Sequence, residues 1–402
     1  MDGRIKLLLL EDSEMDADLL VRHLHKEKID FKYVRVWKKS TFQEQLKLFA
    51  PDIIIADYSL SQFTGVEAFR LMKQEGYNLP FILASGSISE KIILQIIKEG
   101  IDDYLLKDNL NRLSNMIMNV VYKKQLEIEK NRVEIEKKLV EQKNKDILDS
   151  INYAKRIQDA IFPPEELVKE LLPESFILLK PKDIISGDFY WVEKFDKKTF
   201  IGAVDCTGHG VPGALLSIVG YNLLSKAINE HNHTSPDEIL NELSNGINKT
   251  LRQNIESSNV NDTMDVALCS IDKITNTLEF AGAYNSLYLI RNKRLVEIHA
   301  DRFPVGVFLN GQLRKFTNHK LQLEKGDTIY LFSDGYADQF GGEKGKKFKH
   351  KQFKKLLISI QDLSIEEQKN RLNSTIEEWQ SMTSEEQTDD ILVIGIKYNS
   401  LS

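Results

Sequence analysis

Residues Thr199–Gly210 read TFIGAVDCTGHG, a run of apolar, small and β-branched residues that ends in Asp205 and a glycine-rich turn around His209. Thr199–Val204 has the composition of a β-strand, and Ala214–Lys226 beyond the turn has helical apolar spacing. A chain that passes from strand to helix this sharply needs the backbone freedom of Gly208, Gly210 and Gly213. Three further short acidic segments stand far away in sequence: Gly187-Asp188-Phe189, Ser333-Asp334-Gly335 and Thr388-Asp389-Asp390. The strand-like run Thr328–Phe332 precedes Asp334, and Ile391–Ile396 follows Asp390. Strand ends from distant parts of a chain converge on one edge of a sheet sandwich, where gathered aspartates repel one another unless divalent cations neutralise them. All-oxygen ligands suit Mg²⁺ or Mn²⁺, and two such ions lower the pKa of a shared water beside a phosphate ester. Any one segment alone reads as an ordinary turn, because Asp and Gly dominate turns. The four together, mostly against apolar strands, point to a two-metal site.

Over about residues 170–400 these motifs resemble the metal-dependent, protein phosphatase 2C-type serine/threonine phosphatases, in the bacterial branch typified by the sporulation stage II E phosphatase. Phe280-Ala-Gly-Ala-Tyr-Asn-Ser-Leu-Tyr-Leu289, Phe303-Pro-Val-Gly306 and Leu323-Glu-Lys-Gly-Asp-Thr328 are similar to the same family. The resemblance implies an α+β domain whose antiparallel β-sandwich is flanked by helices. It implies metal ligands, which are the catalytic residues, at Asp188, Asp205, Asp334 and Asp389, with Asp205 bridging two or more Mn²⁺ or Mg²⁺ ions and the Cys206 carbonyl as a further ligand. His209 reads as a turn residue near the site, with a general-acid role as the alternative. Asp262 and Asp265, before the strand-like Val266–Ile271, serve a third metal or a substrate, or simply cap the strand. Lys180 and Lys182 stand where the wider family often has a basic phosphate-binding residue, although lysines there are more often just solvated, and Lys182 is the minority reading.

The first hundred residues carry an independent signature. Ile5–Leu10 ends in Glu11-Asp12, Ile53–Ala56 in Asp57, Phe81–Ala84 in Ser85 and Tyr104–Leu106 in Lys107. Short apolar strands alternating with amphipathic segments form a parallel sheet covered on both faces, and such sheets bind ligands beyond the carboxyl ends of their strands. Two acids plus Asp57 there hold a Mg²⁺, a hydroxyl bonds a phosphoryl oxygen and a lysine neutralises it. This pattern resembles the receiver domain of bacterial two-component response regulators, a doubly wound α/β fold. The resemblance implies Glu11 and Asp12 as the acidic metal pocket, Asp57 as phospho-acceptor and the Ser59 carbonyl as a further Mg²⁺ ligand. It makes Ser85, Tyr104 and Lys107 the switch residues, and Gly65, eight after Asp57, fits as well. Asp108 and Ser61 stand where family members usually or often have proline, and a cis bond after Lys107 then costs about 3 kcal/mol.

From Met116 to Ile161 the chain is rich in Lys, Glu, Gln and Asn and free of Gly and Pro until Pro163-Pro164, which favours one long helix. Leu126, Val133, Val140, Ile147, Ala154 and Ile161 recur every seven residues, whereas Lys143 and Ser150 interrupt the partner seam and Ile128, Ile135, Leu139 and Ile151 fall off register. Such a pattern suits a parallel homodimeric coiled coil of modest strength. A single solvated helix is the other reading.

With 402 residues, 42% hydrophobic and 28% charged, the chain suits two soluble globular domains and a connector. The expected division is a receiver over 1–120, a helical linker over 121–165 and a phosphatase domain over 166–402. A net charge of −6 and the lack of a recognition-type basic helix give no reason to expect nucleic acid. Two cysteines, Cys206 and Cys269, suit a reducing cytoplasm, and Leu7–Leu10 is too short for a membrane span. The lysine-rich Lys344–Lys351 is a solvated loop or docks an acidic partner. The expected protein is therefore a response regulator in which a histidine kinase phosphorylates Asp57 and the linker passes the change to a phosphatase. Its substrate, by resemblance, is a phosphorylated anti-anti-sigma-type regulator in partner switching. A phosphorylation-controlled, non-catalytic scaffold and a transcription regulator are the rivals from other classes.

Overall fold

The computed structural model describes residues 4–86, 90–252, 262–306, 308–309, 312–383 and 385–399. The chain divides into two compact units, Met1–Lys143 and Asn144–Ser402.

The first unit alternates β1 (Ile5–Leu10), α1 (Glu14–Lys26), β2 (Phe31–Val36), α2 (Lys39–Leu48), β3 (Ile53–Asp57), α3 (Gly65–Gln74), β4 (Phe81–Ser85), α4 (Glu90–Glu99) and β5 (Asp103–Leu106). The strands form a parallel sheet in the order β2-β1-β3-β4-β5. Side chains alternate between the faces. Leu7, Leu9, Ile53, Ile55, Ile82 and Ala84 pack with α1, while Leu8, Leu10, Ile54, Ala56 and Leu83 pack with α2 and α3. Covering both faces explains why the central strands are apolar throughout. Edge strand β2, FKYVRV, escaped the sequence reading because Lys32 and Arg35, one on each face, interrupt its apolar residues.

Helix α5 runs unbroken over Leu113–Ile161, 49 residues without Gly or Pro. Its first turns bury Leu113, Met116, Ile117 and Val121 against the receiver sheet. The expected seam residues Leu126, Val133, Val140 and Ile147 are exposed, as are the off-register Ile128, Ile135 and Leu139.

The second unit continues with α6 (Glu165–Leu171), β6 (Ser175–Lys180), β7 (Phe189–Phe195), β8 (Lys198–Cys206), α7 (Gly210–Asn229), α8 (Pro236–Thr250), β9 (Met264–Asp272), β10 (Thr277–Ala283), β11 (Leu287–Arg291) and β12 (Arg294–Ile298). The short pair β13 (Phe308–Leu309) and β14 (Gln312–Leu313) precedes β15 (His319–Gln322), β16 (Thr328–Phe332) and α9 (Gly335–Asp338). Another short pair, β17 (Phe340–Gly341) and β18 (Lys346–Lys347), leads to α10 (His350–Ser359), α11 (Ile365–Ser381) and β19 (Ile391–Lys397). Two five-stranded antiparallel sheets result, β15-β10-β9-β8-β7 and β12-β11-β16-β19-β6.

Strand parity sorts three cores. Ile201, Ala203, Ala267 and Cys269 meet Ile329, Leu331, Leu392 and Ile394 between the sheets. Their neighbours Phe200, Val204, Val266 and Leu268 pack with Leu216, Leu224, Ile239 and Leu243 of α7 and α8. On the far side, Tyr330, Phe332 and Val393 pack with Phe353 of α10 and Leu372 of α11. The layers are helices, sheet, sheet, helices. Gly210–Asn229 is long and apolar enough for a membrane span by composition, but Leu216, Leu224, Ala227 and Ile228 are core residues here.

Candidate metal centres

The two-residue period that builds the sandwich also positions the acids. Ile201 and Ala203 point between the sheets, so Asp205 does too, and by the same count Asp265 shares the side of Ala267 and Asp188 that of Tyr190. Register completes the arrangement: Asp205 pairs across the ladder with Asp265, and Phe189 with Val204. Strand β8 thus runs through Asp205 and Cys206 rather than ending at Val204, and Asp265 lies within β9, because both acids still belong to that ladder. From the opposite sheet, Asp334 follows β16 and caps α9, and Asp389-Asp390 lead into β19.

These carboxylates feel one another. Burial, then Asp205, Asp390 and Asp389, push the Asp188 carboxyl well above its ordinary range, and burial with Asp334, Asp389 and Asp265 does the same to Asp205. Burial and Asp334 push Asp265 up to about 7. Asp188 is 2% exposed, and its Oδ2 is sealed from solvent with no partner. A buried carboxylate oxygen without a donor, in an all-oxygen set of mutually repelling acids, fits Mg²⁺ or Mn²⁺. No three of the four expected ligands bring oxygens within 4.8 Å of one another.

Neighbouring groups fix the frame. Both oxygens of buried Asp390 are occupied, Oδ1 by the Lys182 N–H at 2.7 Å and Oδ2 by the Gly187 N–H at 2.7 Å, which separates its role from that of Asp389. The Ser333 hydroxyl accepts the Leu392 N–H at 3.0 Å and, against the prevailing upward shift, favours the charged form of the Asp188 carboxylate. A Cβ at Gly335 would lie 1.9 Å from the Asp390 carbonyl, so Ser-Asp-Gly admits no larger residue there. Gly208 holds φ +86°, a conformation that the turn into α7 requires. Half-exposed His209 sits between Asp183 Oδ2 at 2.8 Å from Nδ1 and Lys182 Nζ at 3.0 Å from Nε2, so both ring nitrogens are engaged. Lys180 is turned away, held by Asn373 and Glu377.

The sequence reading missed Gln158, near the end of α5. Its side chain is 1% exposed and its Nε2 donates to the Ser186 carbonyl at 2.7 Å and to Ser217 Oγ at 3.1 Å. Its Oε1 accepts the Ser186 N–H at 3.2 Å, two residues before Asp188. One polar residue in a polar helix gives no signal by itself.

In the first unit, Glu11, Asp12 and Asp57 bring three carboxylate oxygens within 4.8 Å of one another, beyond the carboxyl ends of β1 and β3. Lys107 Nζ reaches Glu11 at 2.7 Å, Asp57 at 3.2 Å and also Asp16 at 2.7 Å, an acid the sequence reading did not select. Burial pushes the Glu11 carboxyl up despite that lysine. Burial would lower the Lys107 ammonium, yet hydrogen bonds to Asp16 and Glu11 hold it well above its usual value. Buried Ser85 lies beside this cluster through the Lys107 N–H, which donates to its carbonyl at 2.9 Å, and half-buried Tyr104 sits three residues before that lysine. Ser59 bridges to Thr64 ahead of α3. A Cβ at Gly65 would fall 2.5 Å from the Asp57 carbonyl. The Lys107–Asp108 bond is trans, as are all described peptide bonds.

Comparison with known proteins agrees with this architecture. The family model described as Stage II sporulation protein E (SpoIIE) matches residues 196–399, and that of the response regulator receiver domain matches residues 7–118. The phosphoserine phosphatase RsbU of Bacillus subtilis (strain 168) is 28% identical over 196 residues, 48% of this chain and 55% of RsbU. The chain therefore spans little more than half the length of this curated relative. The solved SiaA-PP2C domain of Pseudomonas aeruginosa is 33% identical with a TM-score of 0.58, over 64% of this chain and 98% of that domain. With just over half of its residues matched by one model and a PP2C domain covered almost end to end, the chain belongs to the stage II sporulation protein E family, its PP2C-type domain preceded by a response-regulator receiver domain.

Proposed function

We propose that this protein is a metal-dependent protein serine/threonine phosphatase controlled by phosphorylation of its receiver at Asp57. The observation that carries the reading is the gathering of Asp188, Asp205, Asp334 and Asp389 at one end of the sandwich, with a sealed, partnerless oxygen on Asp188. Those four carboxylates and the Cys206 carbonyl would hold Mn²⁺ or Mg²⁺. Two or more such ions, when bound, supply a nucleophilic water at neutral pH and neutralise phosphate charge. The protein's own share is positioning. Asp390 pins the Lys182–Gly187 loop, Ser333 orients Asp188, and the Asp183–His209 pair holds the Lys182 ammonium beside that loop.

In the receiver, residues 1–120, Glu11, Asp12, Asp57 and the Ser59 carbonyl would hold a Mg²⁺. A histidine kinase supplies the phosphoryl group to Asp57. Lys107 then exchanges carboxylate partners for phosphoryl oxygens, Ser85 bonds them and the face around Tyr104 reorganises. The linker, 121–165, passes the change to the phosphatase domain, 166–402, as a homodimer paired through its exposed Leu126, Val133, Val140 and Ile147. RsbU is named a phosphoserine phosphatase, which supports a phosphorylated protein substrate, and we extend this to an anti-anti-sigma-type regulator. A cytoplasmic setting follows from that partnership.

The test is Mn²⁺-dependent hydrolysis of p-nitrophenyl phosphate by the full chain, with Asp205→Ala as control. Turnover that Asp205→Ala loses supports the reading. No turnover at any metal concentration replaces it with the scaffold. Comparing wild type with Asp57→Ala, with and without a phosphodonor, tests control, and identical responses reject the coupling.

A further inference from the structure

Seven of the twelve residues from Lys344 to Lys355 are lysine and none is acidic, in a chain whose net charge is −6. Two of the seven are neutralised: Lys347 pairs with Asp338 at 2.6 Å and Lys354 with Glu297 at 2.6 Å. Lys344, Lys346, Lys349, Lys351 and Lys355 are exposed and make no ion pair among the described residues. Packing five like charges together costs self-repulsion that a solvated loop would relieve by spreading out.

The segment is held instead in a fixed shape. The Lys349 N–H donates to the Ala337 carbonyl at 2.6 Å and the Phe348 N–H to the Gln339 carbonyl at 2.9 Å. Trp379 stands edge-on to Phe348, with ring centroids 5.3 Å apart, and donates through Nε1 to the Gln339 carbonyl at 3.2 Å. Between these parts runs a groove of about 470 Å³, lined by Lys344, Lys346 and Lys349 over Trp379 and Met382. A second hollow of about 540 Å³ shares Trp379 and Met382 and adds Lys355. Among the described residues, Glu343 and Glu378 are the only acids on the two rims.

The groove is tied to the aspartate mouth by backbone and by one side chain. Helix α9, which anchors it, begins at the residue after Asp334, and the Gln339 side-chain Oε1 accepts the Thr388 N–H at 2.9 Å just before Asp389. We propose that this lysine-lined groove is the docking surface for an acidic segment of the phosphorylated protein substrate, an inference that rests on the phosphatase reading above. Charge complementarity selects the occupant. A cationic rim beside a strongly acidic mouth also draws in a negatively charged partner that the mouth alone would repel.

The experiment uses the full chain and two fluorescent phosphoserine peptides, one flanked by Glu and Asp and one by Gln and Asn, with p-nitrophenyl phosphate alongside. Anisotropy is read from 20 mM to 1 M NaCl on wild type and on the triple variant Lys344→Glu, Lys346→Glu, Lys355→Glu, whose side chains are exposed and so should leave folding intact. Wild type is expected to bind the acidic peptide at least tenfold more tightly than the neutral one at low salt, with the preference fading at high salt. The triple variant is expected to lose that preference, and its kcat/KM for the acidic peptide relative to p-nitrophenyl phosphate should fall tenfold. Equal binding of both peptides by wild type, or a preference retained in the variant, overturns the proposal. So does variant-sensitive binding to phosphatidylserine vesicles or duplex DNA without the peptide preference. Wild type that prefers the acidic peptide yet turns over no p-nitrophenyl phosphate sinks the phosphatase reading instead.

Discussion

Replacing Gln158 with leucine keeps the size of a buried side chain and removes three hydrogen bonds at once. Ser217 retains a partner, because its hydroxyl also donates to the Ala214 carbonyl at 2.8 Å. The Ser186 N–H and C=O do not. A buried backbone group stripped of its partner costs about 1–3 kcal/mol, so two cost about 2–6 kcal/mol. In a unit of this size each kcal/mol lowers Tm by about 2–4 °C. Gln158→Leu should therefore melt at least about 4 °C below wild type. The functional consequence lies two residues on. If about 1.4 kcal/mol of the loss is expressed as freedom of the Ser186–Asp188 backbone, metal affinity falls about tenfold. The assay is p-nitrophenyl phosphate hydrolysis against Mn²⁺ concentration. The half-saturating Mn²⁺ should rise about tenfold in Gln158→Leu, with kcat recovered at saturation. Ser217→Ala, which removes one of the three bonds, should shift it less than threefold. A lower Tm with an unchanged Mn²⁺ midpoint would refute the reasoning and leave Gln158 a purely structural residue.

Metal-free protein should lose stability as pH rises. Asp265, raised to about 7 from an ordinary 3.8, favours its protonated form when folded, and Asp188 and Asp205 shift the same way. Their contribution is present at low pH and disappears as pH climbs through the folded values. Melting in EDTA should fall between pH 5 and 8.5 and Mn²⁺ should remove the trend; apo melting that rises over that range contradicts the assignment. Gly65→Ala forces a Cβ to 2.5 Å from the Asp57 carbonyl and should destabilise the receiver by about 1–3 kcal/mol, read by thermal unfolding of that unit. Val133→Lys with Val140→Lys removes two apolar side chains per chain from the proposed helix pairing, worth about 1.5–3 kcal/mol each when fully buried. Sedimentation should show dimerisation weakened at least 100-fold, and an unchanged mass distribution rejects pairing through α5.

Much of this was legible in the sequence wherever chemistry sat at the end of a buried strand. Apolar runs ending at or just before Asp205, Asp334, Asp57 and Lys107 announce strands, and only the acidic segments taken together point to a site, since any one of them alone reads as a turn. What escaped was relational. Strand β2 lies at the sheet edge and breaks its apolar run with Lys32 and Arg35, one on each face. Asp16 joins Lys107 from one turn into α1, a placement that needs the helix phase and the sheet order together. The resemblance singles out Asp389, but nothing in the sequence shows that its buried neighbour Asp390 takes two backbone N–H groups on its oxygens. Gln158 is one amide among many in a solvated helix until the fold presses Ser186 against it.

The parity that sets Ile201, Ala203 and Asp205 on one side of β8 and Phe200 and Val204 on the other makes the length of that strand arithmetic. Deleting a single residue between Phe200 and Asp205 would turn the acid toward α7 and α8 and bury it in hydrocarbon, whereas a two-residue deletion would preserve its side. Relatives of this domain should thus vary their loops freely while changing β8 and β9 only in even steps.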